Sequence, residues 1–318
     1  MWSVPSRSPE KVGSDLGNLA GLGRPLDFLV SADAEHVLAT TRPDIVLLGT
    51  QSFLPEIQDQ LALCLRNGAN VITLSEESLY PWSSSPARAA ELDALAKTNR
   101  VTVTGSGHQD VFWLNMVSML MGTAHRIDSV CGRVSWNADE FGADVIRSKH
   151  VGETLAEFEA FTNDEIRPPG YGRNVLGGLT MAARLTPLSW DSTISPITTG
   201  EDRFSESLRE TLPAGSVVGY SDIDTLTTVE GPSFSFEMAG YVYEDGAYDI
   251  NEWGVLGEPD LHLSNGAVPT QATTCTQWVN RIPDVINAPS GFVTVDQLPA
   301  LVYRSQPMHS YVRAGLLQ

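Results

Sequence analysis

The sequence predicts an α/β protein: a parallel sheet built from strand–helix–strand units, then a second α+β unit with a mainly antiparallel sheet. Three observations carry this prediction. Short apolar runs alternate with helix-length amphipathic segments up to about residue 125, and beyond that point the pattern turns β-rich. The length of 318 residues also allows two hydrophobic cores at roughly 150 residues per domain.

Residues 44–48 (Asp-Ile-Val-Leu-Leu) form a continuous apolar run ended by Gly49-Thr50, the pattern of a strand buried on both faces. Residues 55–67 follow as a helix with Ile57, Leu61, Leu63 and Cys64 on one side and Gly68 past its end. A strand at 70–74, a helix at 86–99 and a strand at 101–104 complete two βαβ units. Residues 126–137 alternate like a strand, 174–188 read as a helix, and 216–248 read as a meandering antiparallel sheet broken by Gly, Pro and Asp. Residues 270–287 are helical again.

Composition narrows the function classes. With 20 Lys+Arg against 39 Asp+Glu the formal charge is −19, which argues against nucleic acid or an anionic membrane as partner. A hydrophobic fraction of 42% is too high for a disordered chain. The apolar stretch at 111–124 is interrupted by Asn115 and Ser118 and falls short of the roughly 20 residues of a membrane span. Cys64, Cys131 and Cys275 are scattered and odd in number, so neither a disulfide framework nor a zinc knuckle is expected, and no metal site is assigned. No signal-peptide pattern opens the chain, and a cytoplasmic enzyme is the expectation.

Ligands on parallel sheets bind at the carboxyl ends of the strands, which nominates three turns: Gly49-Thr50, Ser75-Glu76-Glu77 and Gly105-Ser-Gly-His-Gln-Asp110. No GxGxxG phosphate loop precedes the first strands, so an opening strand–loop–helix unit is expected to be missing. Gly105-Ser-Gly107 imitates that loop, but its third glycine position is Asp110, whose carboxylate would repel a pyrophosphate.

Four segments carry a more specific likeness. They are Ser8-Pro-Glu-Lys-Val-Gly13, residues 70–82 (Asn-Val-Ile-Thr-Leu-Ser-Glu-Glu-Ser-Leu-Tyr-Pro-Trp), Gly105-Ser-Gly-His-Gln-Asp-Val-Phe-Trp113, and residues 272–283 continuing into Ala288-Pro-Ser-Gly-Phe292. In order and spacing over roughly residues 8 to 300 the chain resembles the dihydrodipicolinate-reductase-like NAD(P)-dependent dehydrogenases, the branch of 2,4-diaminopentanoate dehydrogenase and native amine dehydrogenases. That resemblance implies a Rossmann-like domain over 1–125, incomplete at its start, with 270–300 packing back on it. It implies an α+β substrate and dimerisation domain over 126–318, a homodimer, and reversible reductive amination of a small carbonyl or amine with NADP or NAD. Asn280 and Pro283 mark a helix of that family and read as architectural. Many members carry an Asn-Pro-Gly-Phe-type turn where this chain has His108-Gln109-Asp110.

The resemblance places Glu76 opposite the substrate nitrogen, where a carboxylate walled by aromatics stabilises an ammonium or iminium and relays a proton. Ser75-Glu76-Glu77 could simply cap the next turn, and Glu77 is the alternative functional carboxylate if the register is one position on. His108 is a candidate general acid or a hydrogen-bonding group for a substrate oxygen. Gln109 and Asp110 share its turn, Asp110 as a pocket residue or a helix cap. Trp113, Trp136 and Phe141 are assigned to the pocket wall, against the ordinary alternative of core packing. Arg7, Ser8 and Lys11 fall where the family reads the adenosine ribose, and an arginine among hydroxyls suits the 2′-phosphate of NADP. Gly49 and Thr50 would let a cofactor approach the backbone. A second reading keeps the fold without the cofactor, with Glu76, His108 and Asp110 as an acid–base cluster for hydrolysis, isomerisation or elimination, or for ligand binding.

Overall fold

The structure, a computed structural model, describes residues 4–5, 9–162 and 170–313. In chain order its strands are β1 (Val4–Pro5), β2 (Val30–Ser31), β3 (Ile45–Leu48), β4 (Asn70–Thr73), β5 (Thr102–Gly105), β6 (Arg126–Asn137), β7 (Pro187–Thr198), β8 (Arg203–Ser205), β9 (Glu210–Leu212), β10 (Val217–Thr228), β11 (Ser233–Tyr241), β12 (Ile250–Glu258), β13 (Leu261–Gly266) and β14 (Gly291–Phe292). β3, β4, β5 and β14 make a parallel sheet in the order β14-β5-β4-β3, and β1 pairs with β2, also parallel. The larger sheet has the order β13-β12-β6-β11-β10-β7.

The Leu54–Arg66 helix illustrates how the sequence builds the first half. Leu54, Ile57, Leu61, Cys64 and Leu65 recur at helical spacing and are all buried against Val71 and Val103 of the sheet. Pro55 occupies the first turn, where its missing N–H costs nothing, and the Glu56 carboxylate accepts from the Phe53 N–H. Gly68, at φ +77°, lets the chain reverse into β4. Burying such a face contributes roughly 1.5–3 kcal/mol per large apolar side chain.

β3 departs from the expectation of burial on both faces: Leu47 is exposed, because β3 is the edge of its sheet among the described residues. The helix expected over 174–188 is Gly172–Ala182. Arg184 turns left-handed at φ +57° and the Leu185 N–H closes onto the Thr180 carbonyl, releasing the chain into β7. The expected meander is two long strands, β10 and β11, and β11 runs parallel to β6 while its other pairing is antiparallel.

The chain leaves the parallel sheet after β5 and returns to it near its end. In the Thr270–Asn280 helix, Trp278 donates its indole N–H to the Ile72 carbonyl at 3.1 Å, and β14 then adds to β5. The Gly172–Ala182 helix ties the two sheets together, since the Asn174 amide reaches the Glu77 and Tyr80 carbonyls while the helix packs on β10 and β11. Cys64, Cys131 and Cys275 are free thiols. Among the described residues no helix is long and apolar enough to cross a membrane.

Candidate active site

A cavity of about 640 Å³ lies between the carboxyl ends of β4 and β5 and the six-stranded sheet. Leu74, Glu76, His108 and Gln109 line it from the parallel-sheet side, and Trp136, Tyr220 and Met238 from the other.

Glu76 opens a short 3₁₀ turn directly after β4, so the strand delivers its carboxyl to the cavity. Burial pushes that carboxyl above the usual range, and a hydrogen bond with the Ser52 side chain partly opposes the shift. Tyr171 stands beside it. Its phenol is held well above the ordinary tyrosine value, first by burial and then by the Glu76 charge, while its ring stacks on Phe53 at 5.1 Å.

The neighbouring Glu77 turns the other way. Its Oε2 accepts from the Leu54 N–H at 2.6 Å, and its Oε1 accepts from the Ser84 and Ser85 hydroxyls at 2.6 Å each. Glu77 does not cap the turn that follows it; it satisfies an orphan N–H at the start of the earlier Leu54–Arg66 helix.

His108 lines the cavity, with its ring stacked on Phe112 at 4.4 Å and its Nδ1 3.3 Å from Thr273 Oγ1. Burial drives its pKa down to about 4, which leaves the ring neutral at pH 7. Gln109 also lines the cavity and donates its amide to the Ser106 carbonyl at 3.0 Å. Trp113, Trp136 and Phe141 all reach the cavity wall. Trp113 packs against Phe236 at 5.3 Å in the core as well, and Phe141 meets Trp136 edge-on at 5.1 Å while keeping 42% of its surface exposed. Gly240 makes room for the Trp136 ring, with which a Cβ at that position would collide.

Asp110 is not a cavity residue. Its carboxylate is wholly buried and paired with the guanidinium of Arg281, and it also accepts from the Ser106 hydroxyl at 2.8 Å. It starts a π-helical turn, Asp110–Asn115, rather than capping a helix. With Asp110 committed to Arg281, the Glu76–His108–Asp110 acid–base cluster is not assembled.

Lys149, Tyr171, Asp222 and Asp249 are among the cavity residues that carried no signal in the sequence. They arrive from the second half of the chain through tertiary packing. Asp249 is oriented by the Thr270 hydroxyl at 2.7 Å and the Asn137 N–H at 3.3 Å.

No protein-family model matches this sequence. Over 284 residues the chain is 30% identical to 2,4-diaminopentanoate dehydrogenase of Acetoanaerobium sticklandii, a match spanning 86% of this chain and 78% of that protein. The chain belongs to the 2,4-diaminopentanoate dehydrogenase family. A solved amine dehydrogenase from Mycobacterium smegmatis is 53% identical to it and superposes with a TM-score of 0.91, over 96% of this chain and 90% of that one. GenD2 from gentamicin A biosynthesis, solved in complex with NAD, is 15% identical with a TM-score of 0.50 and shares the fold alone.

A 2,4-diaminopentanoate dehydrogenase fold implies a nicotinamide dinucleotide, and the residues present fit its reactive end. The cavity is walled by the carboxyl ends of β4 and β5. Gly49 and Thr50, just past β3, are exposed and are not among the residues that line it. Gly105-Ser-Gly107 does not offer a phosphate cradle. All three residues are buried, and a Cβ on Gly105 would strike the Ser78 backbone. Lys11 is exposed at the end of the Pro9–Lys11 turn, while Arg7 and Ser8 lie outside the described residues. No group of three or more metal-ligating side chains occurs among the described residues.

Proposed function

We propose that this protein is an NAD(P)-dependent amine dehydrogenase, interconverting a small amine with a carbonyl compound and ammonia. The observation that carries the reading is the Glu76 carboxyl, part-buried at a strand end inside an aromatic-lined cavity, in a chain 53% identical to an amine dehydrogenase.

The nicotinamide, when bound, supplies the hydride exchange with the carbon that bears the nitrogen. The chain's own residues handle that nitrogen. The Glu76 carboxylate accepts its N–H groups and takes a proton from the ammonium so that the amine is free to react; with that proton passed on to solvent, the carboxylate stabilises the positive charge of the iminium. Raising the Glu76 pKa brings it nearer to that of the amine, which eases the transfer. The Ser52 side chain hydrogen-bonds Glu76 and so helps to orient its carboxyl. Trp113, Trp136 and Phe141 exclude water and offer aromatic faces to a cationic nitrogen. His108, neutral at pH 7, hydrogen-bonds the oxygen of the carbonyl compound. Gly49, Thr50 and Lys11, with Arg7 and Ser8, are the residues assigned to the cofactor, and the arginine suits the 2′-phosphate of NADP.

On this reading the enzyme works in the cytoplasm as a homodimer, and sedimentation of the purified chain tests the dimer. The activity test supplies NADH or NADPH, ammonia and short ketones or aldehydes and follows nicotinamide absorbance. Consumption that requires both ammonia and the carbonyl compound, and that Glu76→Gln abolishes, supports the reading. A wild-type enzyme that consumes neither cofactor with any such pair overturns it.

A further inference from the structure

Each ammonium that Glu76 deprotonates leaves a proton on its carboxyl, and that proton has to reach water before the next turnover. Phe53, Trp113 and Trp136 stand on the cavity wall, and their rings keep water from the carboxyl, so the proton needs a built path. Among the described residues one side chain hydrogen-bonds the Glu76 carboxyl, that of Ser52. The same side chain is a hydrogen-bond partner of the Tyr171 phenol, so Ser52 links the two. Ser52, Glu76 and Tyr171 all line the cavity.

The line is held in place from both ends. The Ser52 carbonyl accepts from the Ser75 hydroxyl at 2.7 Å and from the Glu77 N–H at 3.3 Å, which fixes Ser52 against the turn that carries Glu76. Tyr171 opens the Gly172–Ala182 helix, and its carbonyl accepts from the Asn174 N–H at 2.9 Å. The Asn174 amide donates in turn to the Glu77 carbonyl at 3.2 Å, and the Tyr171 ring stacks on Phe53, the neighbour of Ser52 in the chain. On its far side Tyr171 approaches the surface. The charge of Glu56, an exposed residue of the Leu54–Arg66 helix, acts on the phenol along with that of Glu76, as does Tyr220 of β10. The phenol is thus within reach of both a cavity carboxyl and a carboxylate in water. Burial holds it above the ordinary tyrosine value, so at neutral pH it keeps its own proton and works as a neutral hydroxyl, both donor and acceptor.

We propose that Ser52 and Tyr171 form a proton relay between Glu76 and solvent. The Glu76 carboxyl gives its proton to the Ser52 oxygen, the Ser52 hydroxyl proton passes to the Tyr171 oxygen, and the Tyr171 hydroxyl proton passes to water or a buffer base. Each hydroxyl loses one proton and gains one, so only Glu76 and the final acceptor change charge. In reductive amination the same line carries a proton inwards. The assignment rests on the amine dehydrogenase reading, and both residues act through Glu76 rather than on the substrate.

The test follows oxidation of pentan-2-amine with NAD⁺ and NADP⁺ in Ser52→Ala, Tyr171→Phe and the double variant. Each single variant is expected to lose about tenfold or more in kcat with KM little changed, the mark of a slowed proton transfer. The double variant loses no more than the worse single one, because both break one line. Imidazole, added as a small proton carrier, restores turnover in the variants and leaves the wild type unmoved, which a packing defect would not show. A second readout needs no turnover. The infrared carbonyl stretch of protonated Glu76, identified by its disappearance in Glu76→Gln, is expected to shift in Ser52→Ala and in Tyr171→Phe. A wild-type kcat in either single variant, losses that multiply in the double variant, no response to imidazole, or an unmoved stretch overturns the proposal. If no short amine is oxidised yet the stretch shifts in both variants, the oxidoreductase reading fails and the hydroxyl line stands. If the amine is oxidised, Glu76→Gln abolishes its oxidation and both hydroxyl variants run at the wild-type rate, the relay fails and the oxidoreductase reading stands.

Discussion

Arg281 and Asp110, 171 positions apart, meet in a two-pronged ion pair, Nη2 to Oδ1 at 2.6 Å and Nε to Oδ2 at 2.8 Å. Both side chains are sealed from solvent, and the arginine's remaining nitrogen reaches Asp284 at 3.3 Å and the Pro299 carbonyl at 2.6 Å. Removing one partner strands a buried charge. Asp110→Ala should therefore cost about 3–5 kcal/mol of stability in a denaturant titration. Replacing Asp110 and Arg281 together by apolar residues should cost less than Asp110→Ala alone. A stable Asp110→Ala protein without activity would return this residue to the catalytic group.

Glu76→Gln keeps the shape of the side chain and removes the charge. Turnover should drop by roughly 10²-fold or more, the scale for a lost general base. Stability should move the other way. A carboxyl with a raised pKa keeps its proton to higher pH in the folded chain than in the unfolded one, so stability falls as pH climbs from the usual glutamate value of about 4.3 towards the raised value of the folded chain. The variant should melt above the wild type at pH 7, and the gap should close in acid. Calorimetry at the two pH values checks this.

Glu77→Ala should behave as the mirror image. The Leu54 N–H and the Ser84 and Ser85 hydroxyls lose their shared acceptor, at a cost of about 1–3 kcal/mol. Activity per folded molecule should stay within a few-fold of the wild type. A normal melting curve for this variant would refute the capping role.

His108 sets an acid limit. Its ring titrates near 4 in the folded protein and near 6.5 when free, so below pH 6.5 the unfolded chain takes up a proton that the folded chain refuses. Stability is complete above pH 6.5 and declines towards pH 4, by roughly 3 kcal/mol from this residue alone. His108→Gln should flatten that part of the stability profile, measured as denaturant midpoint against pH. An unchanged slope would mean that the imidazole ionises freely in place.

The parallel sheet and the helices that cover it are the most legible parts of the fold. β4 and β5 are short apolar runs because helices cover their sheet, and the Leu54–Arg66 helix advertises its buried stripe at i, i+3 and i+4. β7 and β13 go unread because they are the two edges of the six-stranded sheet. Pro187–Thr198 mixes Ser, Thr, Asp and Pro on partly exposed faces, leaving no alternation to follow. The same division runs through the site. Glu76 and His108 follow recognisable strands, and strand ends are where ligands bind, so their candidacy was visible. Lys149 and Asp222 reach the cavity from segments 73 residues apart, and no local spacing announces such a meeting.

β14 lies at one margin of the parallel sheet, although β3, β4 and β5 are made far earlier in synthesis. A chain emerging from the ribosome must hold those strands, and the counter-charge of Asp110, in waiting until nearly its whole length is out. Cutting the protein a little before Arg281 would thus remove a keystone of its first half, not a dispensable tail.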